Sequence, residues 1–409
     1  MAEQPLSDVR VLDLTWYISG PYCTKLLADY GADVIKVERP GGGDPARRLG
    51  PFFKDEPHPE KSGLFLLLNT NKRGITLNLK SDTGRKMFRE LVRDVDILVE
   101  SFSPHVMSSL GLDYESLEKI NPKLVMTSIS NFGQTGPYRD FEASELILYG
   151  MGGAMNETGL PDREPVKLGG TVKQFQAGVL ALVATMTALW AARSGPSPGT
   201  GQHVDVALME SQLATVDRRG SCIIGHQFTG EVSIRRDPHQ ITGRYPNGVY
   251  PAKDGYIEII GGVHYWRRVA RLVGHPEWAT AGRFAGAKGQ MDTEAQQWFE
   301  TNIWYPFVLE RTRVEFIQQA QAAGCLCGPL NTMKDVVEDP QWRSREYWVD
   351  MEHPAVGTLT YPGAPVKMPD QAWQAKRPAP TLGQHNEEVY GALGYSRDDL
   401  VKLRERGVI

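Results

Sequence analysis

The chain has 409 residues, of which 41% are hydrophobic, and a formal net charge of −4 at pH 7. This length exceeds what one hydrophobic core normally organises, so we expect two domains. The small negative charge argues against nucleic acid as the principal partner, no window is apolar enough to span a bilayer, and no secretory signal stands at the N-terminus. We therefore expect a cytoplasmic protein with no membrane partner.

Strand and helix signals alternate along the first 220 residues. Residues 9–14 read as a strand, a helix follows with Pro21 at its first position and Gly31 at its end, and residues 34–37 form a second strand. Further strands are predicted at 75–79, 96–99 and 124–128, and helices at 83–93 and 114–120. The apolar run 177–193 predicts a buried helix that ends at the Gly- and Pro-rich segment 194–199. Because the strands are rich in Val, Ile and Leu, the sequence predicts an α/β fold with a Rossmann-like large domain.

The middle of the chain has a different character. Charge rises and helical periodicity weakens over residues 218–244, where residues 235–239 are typical of a linker. A strand at 256–260 and helices at 265–272 and 294–299 predict a smaller α+β domain. The chain is expected to return to the first domain near Asp339-Pro340 and to finish with a helix from Asn386. We predict a large α/β domain over 1–220, a linker and small domain over 221–335, and the return to the large domain with the C-terminal helix over 336–409.

Cysteine and histidine usage gives little sign of a metal site. The four cysteines, at positions 23, 222, 325 and 327, are too few and too scattered for a disulfide framework. Cys325 and Cys327 lack a second Cys or His pair at ligand spacing, so we expect structural thiols and no metal. A lone histidine such as His105 or His264 is interpreted as a hydrogen-bonded surface or core residue.

Several segments carry a family resemblance. The segment 20–38, with the sequence GPYCTKLLADYGADVIKVE, resembles the class III CoA-transferases, the family that also contains α-methylacyl-CoA racemases. Segments 71–74, 111–114, 131–138, 201–206 and 382–385 are similar to further landmarks of that family, and their number and order indicate membership. The resemblance implies a dimer in which two chains thread through one another like linked rings. It also suggests that Gly261-Gly262 begins a flexible glycine loop over the active site, with a simple turn as the alternative.

The resemblance implies that coenzyme A or acyl-CoA binds as a substrate, with no tightly bound cofactor. Arginine and lysine suit the phosphates of CoA, although residues 39, 72, 73 and 80 can also be interpreted as solvated surface cations. Ser109 departs from the family, where an arginine commonly precedes this point, so a phosphate contact is expected to be missing. The glycines 41–43 could cradle a phosphate through their backbone but lack the dinucleotide spacing. The positions that match CoA-contacting stretches are Arg39, Leu77, Lys80, Ser101, Phe102 and Ser103.

Gln174 occupies the position at which transferases of this family carry a nucleophilic aspartate. That carboxylate attacks an acyl-CoA to give a mixed anhydride and CoA thiolate, and then forms an aspartyl-CoA thioester from which the acceptor acid takes CoA. A carboxamide is a poor oxygen nucleophile and keeps nitrogen where the thioester would form, so we expect no catalytic residue on this chain at that position. Glu145 is the candidate for a supporting role or a replacement nucleophile, with an ordinary ion-paired residue as the alternative.

Three hypotheses about function remain open. The chain is a catalytically silent subunit that pairs with a paralogous, aspartate-bearing CoA-transferase subunit, an atypical enzyme that uses another carboxylate, or a CoA-binding regulatory protein. Racemisation needs a His and Asp pair, where this chain has Ser144 and Gln174, so a racemase is not expected. Among heteromeric members, the chain resembles the non-nucleophilic subunit of the succinyl-CoA:(R)-benzylsuccinate CoA-transferases of anaerobic toluene degradation.

Overall fold

The computed structural model describes residues 4–215, 219–232, 234–235, 244–368 and 373–409. The chain divides into two compact units, which we describe separately. The first comprises Met1–Met155, Lys167–Val232 and Ser344–Ile409, and the second comprises Asn156–Val166 and Ser233–Arg343. The domain ranges expected from the sequence, 1–220, 221–335 and 336–409, stay a prediction. Of the predicted linker, residues 236–239 lie outside the described part of the chain.

The strands and helices alternate through most of the first unit, as the sequence predicts. The strands are β1 Arg10–Leu14, β2 Asp33–Glu38, β3 Arg73–Thr76, β4 Ile97–Glu100, β5 Val125–Ser130, β6 Gln202–Ala207, β7 Gly248–Ala252, β8 Gly255–Ile260, β9 Leu326–Pro329, β10 Trp348–His353 and β11 Gly357–Pro362. The α-helices are α1 Ser19–Asp29, α2 Gly63–Leu68, α3 Asp82–Val92, α4 Val106–Ser109, α5 Tyr114–Leu117, α6 Glu145–Met151, α7 Val172–Ser194, α8 Leu208–Thr215, α9 Arg219–Thr229, α10 Trp266–Leu272, α11 Gly286–Gln290, α12 Thr293–Phe299, α13 Tyr305–Leu309, α14 Arg313–Ala322, α15 Met333–Glu338, α16 Pro340–Ser344, α17 Asn386–Ala392 and α18 Arg397–Glu405.

The first unit is built on a six-stranded sheet in the order β3-β2-β1-β4-β5-β6, with every neighbouring pair parallel. This is the doubly wound Rossmann order, in which the direction of strand addition reverses between β1 and β4. Side chains alternate between the two faces of β1: Val11 packs with α1 and α7, and Leu12 packs with α3, α17 and α18. Both faces are therefore buried, and the predicted α/β fold class is confirmed.

Helix α7 is predicted to be buried, but one of its sides is exposed. Val183 and Trp190 are 56% and 63% exposed, while Ala177 and Ala181 pack in the core. The helix is also long and apolar enough to cross a membrane by length and composition, which corrects the expectation that no such window exists. The same property is found in core helices, and one side of α7 packs on α1, β5, β6 and α8. Its apolar composition therefore serves the core on one side and leaves an exposed apolar strip on the other.

The contact between α1 and α7 requires a glycine. A Cβ atom on Gly178 would lie 2.6 Å from the backbone oxygen of Ser19, so the two helices approach more closely than any other residue allows. We expect Gly178→Ala to lower the free energy of unfolding by about 1–3 kcal/mol, because the backbone contact outweighs the better helix propensity of alanine. Chemical denaturation measures this effect. Gly391→Ala in α17, where the added Cβ meets nothing within 4 Å, is the control and should stabilise the chain by about 0.5–1 kcal/mol. Equal effects at both positions would contradict the prediction.

Three of the sequence landmarks are explained by contacts within the first unit. The N–H of Gly74 donates to Nδ1 of His385 at 2.9 Å, which joins the 71–74 segment to the 382–385 segment. At Gly201, the first residue of another landmark, a Cβ would lie 1.9 Å from the backbone oxygen of Leu124. These motifs therefore hold the C-terminal return and the edge strand β6 in place.

The second unit contains the three-stranded antiparallel sheet β7-β8-β9. At the end of β8, a Cβ on Gly261 would lie 2.0 Å from the backbone oxygen of Pro246, and Gly262 has φ of +105°. This pair is thus required by local packing, and its role as a flexible loop stays a prediction. Helices α10 to α14 cover an aromatic core that includes Tyr245, Tyr250, Trp266, Phe284, Phe299, Trp304 and Phe316.

Candidate functional site

A cavity of about 570 Å³ lies at the carboxyl ends of β1 and β4 in the first unit. In an open parallel sheet, ligands bind in the crevice where the strand order reverses, and β1 and β4 flank that point. Residues 16–19 after β1 and residues 101–105 after β4 form two of its walls. Residues 139–145 and the start of α7 also contribute to the lining. The sheet topology therefore selects this cavity as the candidate site.

Gln174 lies in the cavity lining, as the third residue of α7. Its backbone N–H donates to the oxygen of Thr171, and the next residue, Phe175, packs edge-on against Tyr22 of α1 with ring centroids 4.9 Å apart. A carboxylate here would benefit from the positive end of the helix dipole. The carboxamide has no negative charge, so this position can donate and accept hydrogen bonds but does not supply a nucleophilic oxygen.

Glu145, the first residue of α6, is a buried carboxylate in the same lining. Its side chain is 8% exposed, and Lys167 Nζ lies 3.5 Å from Oε1. The other oxygen, Oε2, is buried and has no hydrogen-bond partner among the described residues. Lys167 is held in turn by the backbone oxygens of Leu168 and Gly170. Glu145 is therefore fixed by one oxygen while the second has its hydrogen-bonding capacity unused.

Two aromatic side chains, with a guanidinium group beside them, form one side of the cavity. The ring of Trp16 packs edge-on against Phe102 with centroids 5.1 Å apart, and the Arg39 guanidinium lies 4.5 Å from the centre of the Trp16 ring. The N–H of Trp16 donates to Oγ of Ser101 at 2.9 Å. Of the predicted CoA contacts, residues 101–103 line the cavity, and Arg39 adjoins it through Trp16.

The remaining predicted binding residues lie elsewhere. Leu77 is 2% exposed and packs in the core with α3, and Lys80 is exposed and does not line the cavity. Ser109 is also exposed, and its hydroxyl donates to the backbone oxygen of Val106. The reading of Lys72 as a solvated cation is wrong, because its side chain is fully buried against Asp13. The assignment of Leu77 and Lys80 to CoA stays a prediction.

The glycine-rich segment after β2 does not offer a ready phosphate cradle. The N–H of Gly42 donates to the oxygen of Pro40, and the N–H of Gly43 donates to the oxygen of Arg39. The next N–H, of Asp44, donates to Oε2 of Glu38 at 2.8 Å. These donors are already used within the protein, which agrees with the missing dinucleotide spacing.

Sequence reasoning missed several lining residues. Trp16 and Tyr17 follow β1 directly, and their position after a parallel strand was the signal that could have identified them. His105, interpreted from the sequence as an ordinary surface or core residue, lines the cavity together with Arg139. Arg139 forms an ion pair with Asp140 at 2.8 Å, so its charge is partly balanced. No local periodicity reveals that these residues meet, because they follow different strands.

A fully buried charge network adjoins this wall along the chain. Lys72 Nζ donates to Oδ2 of Asp13 at 2.9 Å, and neither side chain is exposed. The N–H and hydroxyl of Thr15 donate to Oδ1, and the Thr24 hydroxyl donates to Oδ2. Burial acts to raise the pKa of Asp13, but Lys72 and Lys36 outweigh it and hold that pKa well below its usual range. Burial lowers the pKa of Lys72 to about 8, which is still above neutrality, so both members of the Asp13–Lys72 pair are mainly ionised at neutral pH.

The buried carboxyl of Glu100, at the end of β4, lies next in sequence to the lining residues 101–103. Its Oε2 accepts the N–H of Phe102 at 2.7 Å, and the Ser128 hydroxyl also interacts with the carboxyl group and favours its charged form. Ser128 Oγ lies 2.8 Å from Nε2 of His203. Burial raises the pKa of Glu100 to about 7, assisted by the nearby Asp205 and opposed by the two hydrogen bonds. Glu100 is thus partly protonated near neutral pH.

We expect Glu100 to make the folded chain less stable as pH rises. Its pKa of about 7 in the folded state exceeds the usual 4.5, so the folded state binds one more proton than the unfolded state between these values. Relative to Glu100→Gln, the wild-type unfolding free energy should fall by about 2–3 kcal/mol from pH 5 to pH 8. Urea denaturation of both proteins at each pH unit provides the measurement. Parallel pH profiles would show that Glu100 titrates normally.

Comparisons with known proteins agree with this geometry. The chain matches the model of CoA-transferase family III over residues 6–386. A succinate–glutarate CoA-transferase from Agrobacterium fabrum is 34% identical over 401 residues, covering 95% of this chain and 96% of that protein. A succinyl-CoA–D-citramalate CoA-transferase from Chloroflexus aurantiacus is 33% identical, covering 99% and 98%. A formyl-CoA:oxalate CoA-transferase from Rhodopseudomonas palustris is 31% identical, covering 99% and 97%.

A solved structure shares the fold. The crystal structure of a CAIB/BAIF family protein from Brucella suis aligns with a TM-score of 0.83 and 30% identity, covering 96% of this chain and 100% of that one. The family resemblance drawn from the sequence motifs is confirmed by these matches, while the narrower resemblance to a benzylsuccinate enzyme subunit stays a prediction. By a family-model match over nearly its whole length and by relatives more than 30% identical, the chain belongs to CoA-transferase family III.

Proposed function

We propose that this chain is a subunit of a class III CoA-transferase whose reacting carboxylate is supplied by a paralogous subunit. The observation that carries the proposal is Gln174, an uncharged amide in the lining of the cavity at the sheet's switch point. Its carboxamide does not perform the attack of a carboxylate on a thioester. The rest of the fold is retained, so the chain supports an active complex and contributes a cavity that binds CoA or acyl-CoA as a substrate.

The donor in this proposal is succinyl-CoA and the acceptor is benzylsuccinate. Two relatives are named as CoA-transferases of succinate and glutarate and of succinyl-CoA and D-citramalate, which supports a succinyl donor. The cavity lining also contains the aromatic side chain of Phe141, which suits an acid with an aromatic body. We place the complex in the cytoplasm and assign it no tightly bound cofactor.

The proposed assembly is a heteromer with the linked-ring arrangement of the family. Support comes from apolar side chains left exposed on the first unit, since such patches are typical of protein interfaces. Val183 and Trp190 of α7 are 56% and 63% exposed, and Phe228 of α9 is 82% exposed. Light scattering after size exclusion tests the assembly, and a monomer in the presence of the paralogue would contradict it.

The experiment that tests the proposed function compares this chain alone, its family paralogue alone, and the two together. CoA transfer from succinyl-CoA to dicarboxylic acids, including benzylsuccinate, is followed by chromatography of the CoA esters. We expect transfer only by the pair, since this chain lacks the nucleophile. Robust transfer by this chain alone would overturn the proposal. Tight CoA binding without transfer by any combination would favour the regulatory-protein hypothesis.

A second candidate is an atypical enzyme that uses Glu145. It is favoured by one observation: Oε2 of Glu145 is buried in the cavity lining and has no hydrogen-bond partner in the part of the chain that the structure describes. In this reading the Glu145 carboxylate attacks the thioester carbonyl and expels CoA thiolate, leaving a mixed anhydride. Activity of the chain alone that disappears in Glu145→Gln, together with an acyl group trapped on Glu145, would establish it. Unchanged transfer by the Glu145→Gln pair supports the silent-subunit proposal.

A further inference from the structure

The segment that follows β1 forms a cavity wall in a conformation that its own sequence does not favour. Tyr17 has φ of +63°, the left-handed region that residues other than glycine rarely adopt. Its side chain is 46% exposed and lines the cavity next to Trp16. Such a conformation persists only where surrounding contacts impose it. The contacts that hold this segment therefore determine the shape of the wall.

A buried ion pair supplies those contacts. Lys36 Nζ lies 2.9 Å from Oδ2 of Asp44, and neither side chain is exposed. The same Nζ donates to the backbone oxygen of Thr15 at 2.9 Å. Oδ1 of Asp44 accepts the N–H of Tyr17 at 3.2 Å and the N–H of Ala46 at 2.8 Å. The pair thus forms hydrogen bonds to Thr15 and to Tyr17, the residues on either side of Trp16.

We infer that Lys36 and Asp44 are positioning residues that shape this wall for the CoA part of the substrate. The inference rests on the proposed function, because it takes CoA as the ligand of the cavity. Neither residue lines the cavity itself. They act through residues 15–17, which place the Trp16 ring between Phe102 and the Arg39 guanidinium. An aromatic and cationic surface of this kind suits a ligand with a π-face and negative charge, such as a nucleotide.

Two substitutions of Asp44 separate positioning from general stability. Asp44→Ala and Asp44→Asn both leave Lys36 without its anionic partner, so both should lower the melting temperature. Asp44→Asn retains an oxygen that can accept the Tyr17 N–H, whereas Asp44→Ala removes it. Asp29→Ala is the matched control: Asp29 is also buried and paired with a lysine, Lys25, but it lies at the C-terminal end of α1, where its other oxygen accepts a hydrogen bond from Asn71.

The experiment measures amide exchange of residues 15–19 and CoA affinity in the full chain. We expect Asp44→Ala to raise the exchange rate of this segment and to weaken CoA binding by about tenfold or more, as small misplacements of a binding wall do. Asp44→Asn should stay within about threefold of wild type on both readouts, since its acceptor remains. Asp29→Ala should change neither, despite its lower melting temperature.

Failure of the proposed function and failure of the positioning role give different results. A wild-type chain that does not bind CoA would overturn the proposed function and, with it, CoA as the ligand of this wall. Unchanged exchange in Asp44→Ala would overturn the positioning role in either case. If the wild type binds CoA, equal affinities of wild type and Asp44→Ala, or equal losses in Asp44→Ala and Asp44→Asn, would overturn the inference alone.

Discussion

Removing the nucleophilic aspartate of the paralogous subunit should lower CoA transfer by the complex by at least about a thousandfold, while Gln174→Ala should leave it within about threefold. The physical reason is that only a carboxylate forms the mixed anhydride and the enzyme-bound thioester. In this proposal Gln174 makes no bond to the reacting atoms, although it lines the candidate cavity of this chain. Steady-state rates of the two variant complexes, at equal protein concentration, provide the measurement.

Controls separate loss of chemistry from loss of assembly. Both variants should elute as the wild-type complex does in size exclusion, because an alanine at position 174 or at the aspartate changes little buried surface. Incubation with succinyl-CoA followed by intact-mass measurement should show a covalent adduct on the paralogue and none on this chain. An adduct on this chain, or a loss in Gln174→Ala as large as that from removing the aspartate, would contradict the division of labour.

Breaking the buried Asp13–Lys72 pair should cause a large loss of stability. Lys72→Met leaves the Asp13 carboxyl buried without this cation, which we expect to cost about 3–5 kcal/mol of unfolding free energy. Because Asp13 also accepts the Thr15 N–H, the wall of the cavity should loosen at the same time. Urea denaturation measures the loss, and the yield of folded protein should fall with it.

A double variant and a surface pair serve as controls for this prediction. Lys72→Met combined with Asp13→Asn removes both charges and should recover much of the loss, since neither partner is then left unpaired. Arg85→Met breaks the pair with Asp82, whose side chain is 97% exposed, and should cost less than about 1 kcal/mol. A double variant no more stable than Lys72→Met alone would show that the network acts through packing and not through charge.

Much of the fold was predictable because local patterns specify it. The βαβ opening, the strands near 97 and 125 and the start of the terminal helix at Asn386 all appear within a few residues of their predicted positions, although the C-terminal segment forms two helices and not one. Local periodicity failed for α7, where a uniformly apolar run was interpreted as buried on all sides although Trp190 is 63% exposed. An apolar sequence does not state which of its faces is covered, because that depends on neighbouring elements.

The candidate site was predictable only in part. Gln174, Glu145 and residues 101–103 were identified by their place relative to family landmarks, and the structure brings them into one lining. Trp16, Tyr17 and His105 were missed, since nothing in their local sequence separates them from ordinary loop residues. The alternative interpretation of Lys72 as a solvated cation was wrong, because its partner Asp13 lies 59 residues away in the chain. Charge alone does not reveal whether a lysine is paired in the interior.

The sequence by itself determined the α/β class, through strand and helix periodicity, and the identity of the residue at the nucleophile position, through the spacing of the flanking landmarks. Only the tertiary structure decided which side chains share the cavity. The order β3-β2-β1-β4-β5-β6 places β1 beside β4, so that Trp16 and Phe102 meet although their strands are separated along the chain. Which strands become neighbours depends on how the helices pack on both faces of the sheet. That packing involves the whole unit, so no single segment encodes it.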